Sequence, residues 1–125
     1  MKIQQSAENY IETIFMLSQK NGSVRSIDIA NELGFSKPSV SIAMKNLREN
    51  GYIDVMGDGT ITLLPPGKEI AEGLYMRHTI LTECLTLLGV SKETASEDAC
   101  KIEHILSEET FNAIKNHKLK YNKEV

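Results

Sequence analysis

The chain of 125 residues has few cysteines and no long apolar run, and each absence excludes a class of protein. Its two cysteines, Cys84 and Cys100, cannot form a disulfide framework, so they are predicted to be free thiols or metal ligands. No apolar run approaches the roughly 20 residues that a membrane-spanning helix needs. The first residues, MKIQQSAENY, contain no apolar signal core. These features predict a cytoplasmic protein with no membrane partner.

Signatures of enzyme chemistry are also missing. The sequence has no Gly-rich phosphate loop, no Ser/His/Asp arrangement and no pair of acids tied to a plausible pocket, so no catalytic activity is predicted and no small organic ligand is expected. It contains no internal repeats and no low-complexity segment. A composition of 41% hydrophobic and 25% charged residues is ordinary for a soluble globular protein.

The charge is unevenly distributed along the chain. The formal net charge of −3 argues weakly against nucleic-acid binding by the whole chain. However, the segment from Arg25 to Arg48 has four basic and two acidic residues, whereas the segment from Ser91 to Thr110 has two basic and six acidic residues. The first segment is suited to face an anion, and the second is suited to hold cations.

The first half of the chain has the pattern of a helix-turn-helix. Apolar residues at helical spacing predict a first helix over residues 5–19. The stretches SIDIANELG and SKPSVSIAMKNLRENG predict two more helices, capped by Ser26 and Ser36, with a tight turn at Gly34 and with Pro38 in the first turn of the second.

The apolar period then changes from helical to alternating. The runs YIDVM and TITLL, joined by Gly57-Asp58-Gly59, predict a β-hairpin. The helical period returns from Lys68 to Leu88, and Ser91 and Ser107 are predicted to cap two further helices. The predicted fold is therefore mainly α, with an N-terminal winged helix-turn-helix whose wing has two strands, followed by a helical region.

The second helix of the helix-turn-helix carries a candidate DNA-reading face. Its predicted buried stripe is Val40, Ala43, Met44 and Leu47. The opposite face is polar apart from Ile42, which is either a contact for a thymine methyl group or an ordinary exposed isoleucine. The candidate contacts to phosphates or base edges are Arg25, Ser36, Lys37, Pro38, Ser39, Ser41, Ile42 and Lys45. The wing has no Lys or Arg between Gly51 and Gly67, which predicts a poor phosphate binder.

The stretch EDACKIEHIL carries a candidate metal site. In a helix, Cys100, Glu103 and His104 stand at positions i, i+3 and i+4, so their side chains share one face. A thiol, a carboxylate and an imidazole are suitable ligands for a transition metal. On these residues alone, a buried cysteine beside a solvated glutamate and an unrelated histidine is the favoured interpretation, by about two to one.

Two other helices place donor atoms at the edges of their apolar stripes. His78 lies between Leu74 and Leu81 on the long helix, and a buried histidine needs a hydrogen-bond partner or a metal. Asn9 and Glu12 are three residues apart on the first helix, so they point the same way. Donor atoms thus lie near the buried edges of three separate helices. An ordinary structural explanation would have to hold independently for each of them, which weakens it and favours a metal site.

These motifs together resemble the diphtheria-toxin-repressor/manganese-transport-regulator family of metal-dependent transcriptional repressors. The stretches that carry the resemblance are ENYIETIFML, SIDIANELGFSKPSVSIAMKNLRENGYI, ITLLPPGKEIA, YMRHTILTECLTLLGV and EDACKIEHILS, in the family's order. The resemblance implies a homodimer that binds double-stranded operator DNA when loaded with Fe(II) or Mn(II), and so controls metal-uptake genes. It also implies a DNA-binding domain, expected over residues 1–67, and a metal-binding and dimerisation domain, expected over residues 68–125.

The resemblance also implies a ligand set, which mixes two branches of the family. Cys100, Glu103 and His104 fall at the primary metal site, with Asn9 where the iron-type branch has Met and the manganese-type branch has Asp. His78 falls at the second site, where Glu12 matches a ligand of the manganese-type branch. Positions of the iron-type second site that are Glu and His in that branch are here Thr82 and Ser96. From the resemblance, the protein is expected to lack the SH3-like third domain of the longer iron-type members.

The ligand chemistry predicts the metal. A thiolate at Cys100 favours Fe(II), Co(II) or Zn(II) over Mn(II), so Fe(II) is favoured, Mn(II) is the alternative, and Zn(II) or Co(II) is expected to bind in vitro. A second hypothesis is a winged-helix DNA-binding redox sensor in which Cys100 is oxidised and metal is incidental. A third is a metal-binding protein without a DNA target.

Overall fold

The computed structural model describes residues 5–124, with side chains up to residue 120. Within these residues, no helix is long and apolar enough to cross a membrane. The chain divides into two compact units between Glu72 and Gly73. The elements in chain order are α1 (Gln5–Asn21), α2 (Ser26–Leu33), α3 (Lys37–Glu49), β1 (Ile53–Val55), β2 (Ile61–Leu63), α4 (Pro65–Leu87), α5 (Lys92–Ile102) and α6 (Glu108–Glu124).

Helices α2 and α3 form the predicted helix-turn-helix. Gly34 ends α2 in the left-handed conformation, at φ +70°, which glycine adopts without steric cost. Ser36 caps α3, where its hydroxyl accepts the N–H of Ser39 at 3.3 Å, and Pro38 lies in the first turn. The prediction that Ser26 caps α2 is wrong. Arg25 occupies the N-cap position, because the Asp28 carboxylate accepts its backbone N–H at 2.9 Å.

The two strands form the predicted wing. They pair antiparallel, with Ile53 opposite Leu63 and Val55 opposite Ile61. Ile53 and Ile61 are buried, while the alternate side chains Asp54 and Thr62 face solvent. The wing is therefore attached to the core of the first unit by one face of a short hairpin.

The core of the first unit is built from one face of every element in it. Its buried residues come from α1, α2, α3, both strands and the start of α4, and they are Ile11, Ile14, Leu17, Val24, Ile29, Ala30, Val40, Met44, Leu47, Ile53, Ile61 and Ala71. The predicted stripe of α3 is confirmed, since Val40, Met44 and Leu47 are buried and Ala43 packs against the cluster. The opposite face of α3 is exposed.

The second unit contains most of α4 together with α5 and α6. Helix α4 begins at Pro65, three residues before the predicted start, because proline is well suited to the first turn of a helix. Ser91 caps α5 by accepting the N–H of Thr94 at 3.3 Å, and Ser107 accepts the N–H of Thr110 at 3.1 Å, as predicted. Helix α5 ends at Ile102, so the stretch EDACKIEHIL is only partly helical.

Candidate metal centre and nucleic-acid interface

The exposed face of α3 carries the candidate DNA contacts. Ser39, Ser41 and Lys45 are exposed, and Ile42 is 63% exposed. Lys37 and Pro38 are also exposed, in the first turn of the helix. The exposure of Ile42 leaves it accessible to a partner, as the prediction of a base contact requires, and a single exposed isoleucine is also ordinary on a protein surface.

Two candidate DNA contacts already have partners within the first unit. The Ser36 hydroxyl caps α3 and also donates to the Ser39 hydroxyl at 2.9 Å. Arg25 lies 3.9 Å from the Asp58 carboxylate in the turn of the wing, and both side chains are largely exposed. Hydrogen bonds from Thr60 and, to a smaller extent, the nearby Arg25 charge hold the pKa of Asp58 below its usual value. The Asp58 carboxylate therefore offers Arg25 an anionic partner within the first unit.

Four predicted metal ligands lie together in the second unit. His78 Nδ1 is 3.6 Å from Cys100 Sγ and 3.2 Å from Glu103 Oε2. The other oxygen of that carboxylate, Oε1, is 3.5 Å from His104 Nε2. One carboxylate thus lies between two imidazoles, with the thiol beside the first of them.

The local backbone explains how these side chains meet. Cys100 lies in the last turn of α5, and Glu103 and His104 follow the helix in a turn. The Glu103 N–H still donates to the Ala99 carbonyl at 2.9 Å, with helical φ and ψ of −57° and −26°, so the three side chains keep the helical spacing. His78 approaches them from α4.

The donor chemistry of the cluster suits a transition metal, since it combines two imidazoles, a carboxylate and a thiol. Three contacts of 3.2, 3.5 and 3.6 Å link the four residues, and the two oxygens of Glu103 face different imidazoles. Glu103 is 1% exposed, and a buried carboxylate is costly unless cationic groups compensate it. The donor set therefore fits a divalent transition metal in the chemical type of its ligands.

Ser96 orients the histidine of the cluster. Its hydroxyl is 3.4 Å from His78 Nε2, on the opposite side of the ring from Cys100 and Glu103. A hydrogen bond at one ring nitrogen decides which nitrogen is left for a metal. With Nε2 facing Ser96, Nδ1 is the atom of His78 that faces the other donors.

Arg77 is a residue that the sequence reasoning missed. Its guanidinium donates to the carbonyl oxygens of Glu103 at 3.1 Å and Leu106 at 2.7 Å. The sequence does show a cation directly beside His78, on a helix with an apolar stripe. Its partners could not be identified from the sequence, because they are 26 and 29 residues away.

The candidate ligands of the first unit lie on α1. Asn9 is exposed, and its backbone carbonyl accepts the Thr13 hydroxyl at 2.8 Å. Glu12 is half-buried, one turn along the same helix. These two residues retain the shared helix face that their spacing predicts.

Cys84 lies outside the donor cluster. It is half-buried on α4 and lines a cavity of about 740 Å³ in the second unit. Burial raises the pKa of its thiol. The cavity is mostly apolar, and its lining includes Leu81, Leu85, Leu88, Ile102, Leu106 and Ile114.

Two family models cover almost the whole chain. Residues 2–61 match "Iron dependent repressor, N-terminal DNA binding domain", and residues 65–122 match "Iron dependent repressor, metal binding and dimerisation domain". The helix-turn-helix lies in the first match and the donor cluster in the second.

Known proteins of similar sequence and structure agree with these models. Transcriptional regulator MntR of Salmonella typhimurium is 37% identical over 106 residues, which are 85% of this chain and 68% of MntR. An HTH-type transcriptional regulator of Methanocaldococcus jannaschii is 34% identical over 89% of this chain and 90% of its own length. The fold matches that of a manganese-dependent transcriptional repressor in complex with manganese, with a TM-score of 0.78 and 24% identity over 89% of this chain and 51% of that chain.

The winged helix, the donor cluster and these matches lead to one assignment. The relatives are transcriptional regulators, and no enzyme activity is associated with them. The chain belongs to the diphtheria-toxin-repressor/manganese-transport-regulator family of metal-dependent transcriptional repressors.

Proposed function

We propose that this repressor binds operator DNA as a homodimer when it is loaded with Fe(II), and that it controls metal-uptake genes. The observation that carries the proposal is the buried Glu103 carboxylate between His78 and His104, with the Cys100 thiol beside it. In this proposal residues 1–67 bind DNA, and residues 68–125 bind metal and form the dimer.

The proposed ligands come from both ends of the chain. The short contacts among His78, Cys100, Glu103 and His104 support these four residues as ligands. The family resemblance supports Asn9 and Glu12 as the ligands that α1 contributes. Ser96 would hold His78 so that Nδ1 coordinates.

The choice of metal depends on Cys100. Both family models name iron, whereas one solved structure of this fold is a complex with manganese. A thiolate is a softer ligand than a carboxylate and favours Fe(II) over Mn(II). Fe(II) is therefore the proposed ion and Mn(II) the alternative, while Zn(II) and Co(II) are expected to bind in vitro.

DNA recognition is assigned to α3. Its N-terminal half would enter the major groove, with Ser39 and Ser41 at phosphates or base edges and Ile42 at a thymine methyl group. The remaining proposed contacts are basic residues or lie in the first turn of the helix, and they are Arg25, Ser36, Lys37, Pro38 and Lys45.

The proposed coupling between metal and DNA is electrostatic. Without metal, the carboxylates of Glu12 and Glu103 and any Cys100 thiolate disfavour a common arrangement, because like charges at close range repel. A divalent ion supplies the compensating positive charge. The ligands from α1, α4 and α5 then fix the spacing of the two recognition helices in the dimer, which must match half-sites about 34–36 Å apart or a multiple of that distance.

The apolar cavity of the second unit is the proposed dimer surface. Leu88 is 79% exposed at its edge, and exposed apolar patches of this kind mark protein interfaces. The match to a metal-binding and dimerisation domain covers the same residues. Leu88→Asp is expected to yield monomers in analytical ultracentrifugation, while Met56→Asp, an equally drastic change on the exposed wing, leaves the dimer intact. A dimeric Leu88→Asp protein would refute this surface.

The decisive experiment measures DNA binding against a series of metals. Fluorescence anisotropy is measured anaerobically with Fe(II), Mn(II), Co(II) and Zn(II), using DNA selected from a random pool by the metal-loaded protein. Metal-dependent binding is expected for the wild-type protein, and none for the Glu103→Ala, His104→Ala double variant. Tight binding by the double variant, independent of metal, would exclude the proposed mechanism.

The redox hypothesis has one observation in its favour. Cys100 is exposed, and its sulfur lies 3.6 Å from His78 Nδ1, a setting in which thiols oxidise. The two functions separate in the presence of a chelator. A redox sensor would bind DNA without metal and release it on addition of peroxide, whereas the proposed metal sensor does not bind under those conditions.

A further inference from the structure

Arg77 occupies an unusual position on α4. It is half-buried one turn after the buried Leu74 and one turn before the buried Leu81. Long cationic side chains are seldom held in such a place without partners. Its Nη1 donates to two carbonyl oxygens of the turn after α5, that of Glu103 at 3.1 Å and that of Leu106 at 2.7 Å.

The same guanidinium is also held from α6. It lies over the ring of Phe111, 5.0 Å from the centroid, and Phe111 is only 3% exposed. A cation over an aromatic face gains electrostatic stabilisation that grows when water is excluded. One side chain thus connects α4, the turn of residues 103–106 and the first turn of α6.

The turn needs such a donor because α5 has just ended. The last carbonyls of a helix lack intrahelical partners, and a cation near that end interacts favourably with the helix dipole. Arg77 satisfies carbonyls in this region with charge-assisted hydrogen bonds, which are stronger than those between neutral groups. Both hydrogen bonds come from Nη1, and the planar guanidinium also lies over the Phe111 ring, an arrangement that a lysine ammonium reproduces less well.

We infer that Arg77 is a positioning residue of the metal centre. The Glu103 carbonyl directly follows the Cα that carries the Glu103 side chain, and His104 lies between this carbonyl and that of Leu106. By holding both carbonyls, Arg77 fixes the backbone next to both proposed ligands. Metal ligands must be held within about 0.5 Å of their productive positions by such supporting contacts. The inference rests on the proposed function in one respect, that Glu103 and His104 bind the metal.

Arg77→Met tests the inference, with Lys118→Met as its matched control. Lys118 also joins α6 to α4, through an ion pair of 2.6 Å with Glu83. Both substitutions remove a cation that connects α4 and α6. Of the two cations, Arg77 contacts the turn of residues 103–106, and Lys118 pairs with Glu83 instead. Arg77→Lys keeps the positive charge without the planar guanidinium and serves as a second variant if Arg77→Met does not fold.

The first measurement is made on metal-free protein. Backbone N–H groups of Ile105 and Leu106 donate to the Ile102 carbonyl at 3.0 and 3.2 Å, so hydrogen exchange reports on the turn directly. Exchange in residues 103–107 is expected to accelerate in the Arg77 variants and to match wild type in Lys118→Met.

The second measurement is an anaerobic titration with Co(II), followed by its absorption spectrum. The Kd for Co(II) is expected to rise about 10–100-fold in Arg77→Met, as for other losses of supporting contacts around metal ligands, and less in Arg77→Lys. Wild-type affinity in both Arg77 variants would overturn the positioning role alone. Failure of the wild-type protein to bind Co(II) would overturn the proposed function and the inference with it.

Discussion

Replacing Glu103 by glutamine removes a negative charge from the centre of the donor cluster and keeps the size of the side chain. Glu103 is 1% exposed, and its oxygens lie 3.2 Å from His78 Nδ1 and 3.5 Å from His104 Nε2. An amide offers one oxygen and one NH₂ group, so one imidazole would face a donor in place of an anion. We expect the variant to fold, because its shape is unchanged, and to lose most of its metal affinity.

The size of the effect follows from the role of the carboxylate. Loss of a supporting contact costs about 10–100-fold in metal affinity, so loss of the anionic ligand itself is expected to cost about 100-fold or more. At a free metal concentration of about 100 times the wild-type Kd, binding raises the free energy of unfolding by about 2.7 kcal/mol. With a site about 100-fold weaker, the gain at the same concentration is about 0.4 kcal/mol. For a chain of 125 residues, these gains correspond to increases in Tm of about 10 °C and about 1.5 °C.

The assay is thermal unfolding under anaerobic conditions, with and without Co(II) or Mn(II). Glu97→Gln is the control, since it makes the same change of charge at an exposed position of α5. The control is expected to keep the full increase in Tm. If Glu103→Gln also kept it, the buried carboxylate would not be a metal ligand and the assignment of the cluster would fail.

Two further predictions concern the wing and the thiols. Asp58→Asn is expected to tighten DNA binding and to steepen the dependence of log K on log salt by about one phosphate contact, because Arg25 loses its ion pair. Asp54→Asn makes the same change of charge on β1, and identical titrations of the two variants would show that Arg25 does not contact DNA. In metal-free protein, Cys100 is expected to react with iodoacetamide before Cys84, since Cys100 is exposed and burial raises the pKa of the Cys84 thiol. Fewer Cys84 thiols are then ionised at neutral pH than in an exposed cysteine. Equal rates for the two cysteines at neutral pH, measured by peptide mass spectrometry, would contradict this prediction.

Much of the fold was predictable because its signals are local. Ser36 and Ser91 cap their helices, and Gly34 ends α2, through contacts that span only a few residues. The cap of α2 was predicted wrongly, because Asp28 accepts from the Arg25 backbone and moves the N-cap one residue earlier.

The arrangement of the site was less predictable because it depends on packing between distant residues. The spacing of Cys100, Glu103 and His104 predicted the types of donor and their shared face. It could not predict that His78, 22 residues before Cys100, would lie within 3.6 Å of its sulfur. The role proposed for Arg77 was missed for the same reason, since its hydrogen bonds join residues 26 and 29 positions apart.

The position of Glu103 and His104 beyond the end of α5 has an evolutionary consequence. Glu103 keeps helical backbone angles, but the turn that follows it is held by side-chain contacts. Substitutions at neighbouring residues can therefore shift these two proposed ligands by small steps and leave both in place. Under the proposed function, the metal selectivity of this repressor is expected to change through residues that never touch the ion.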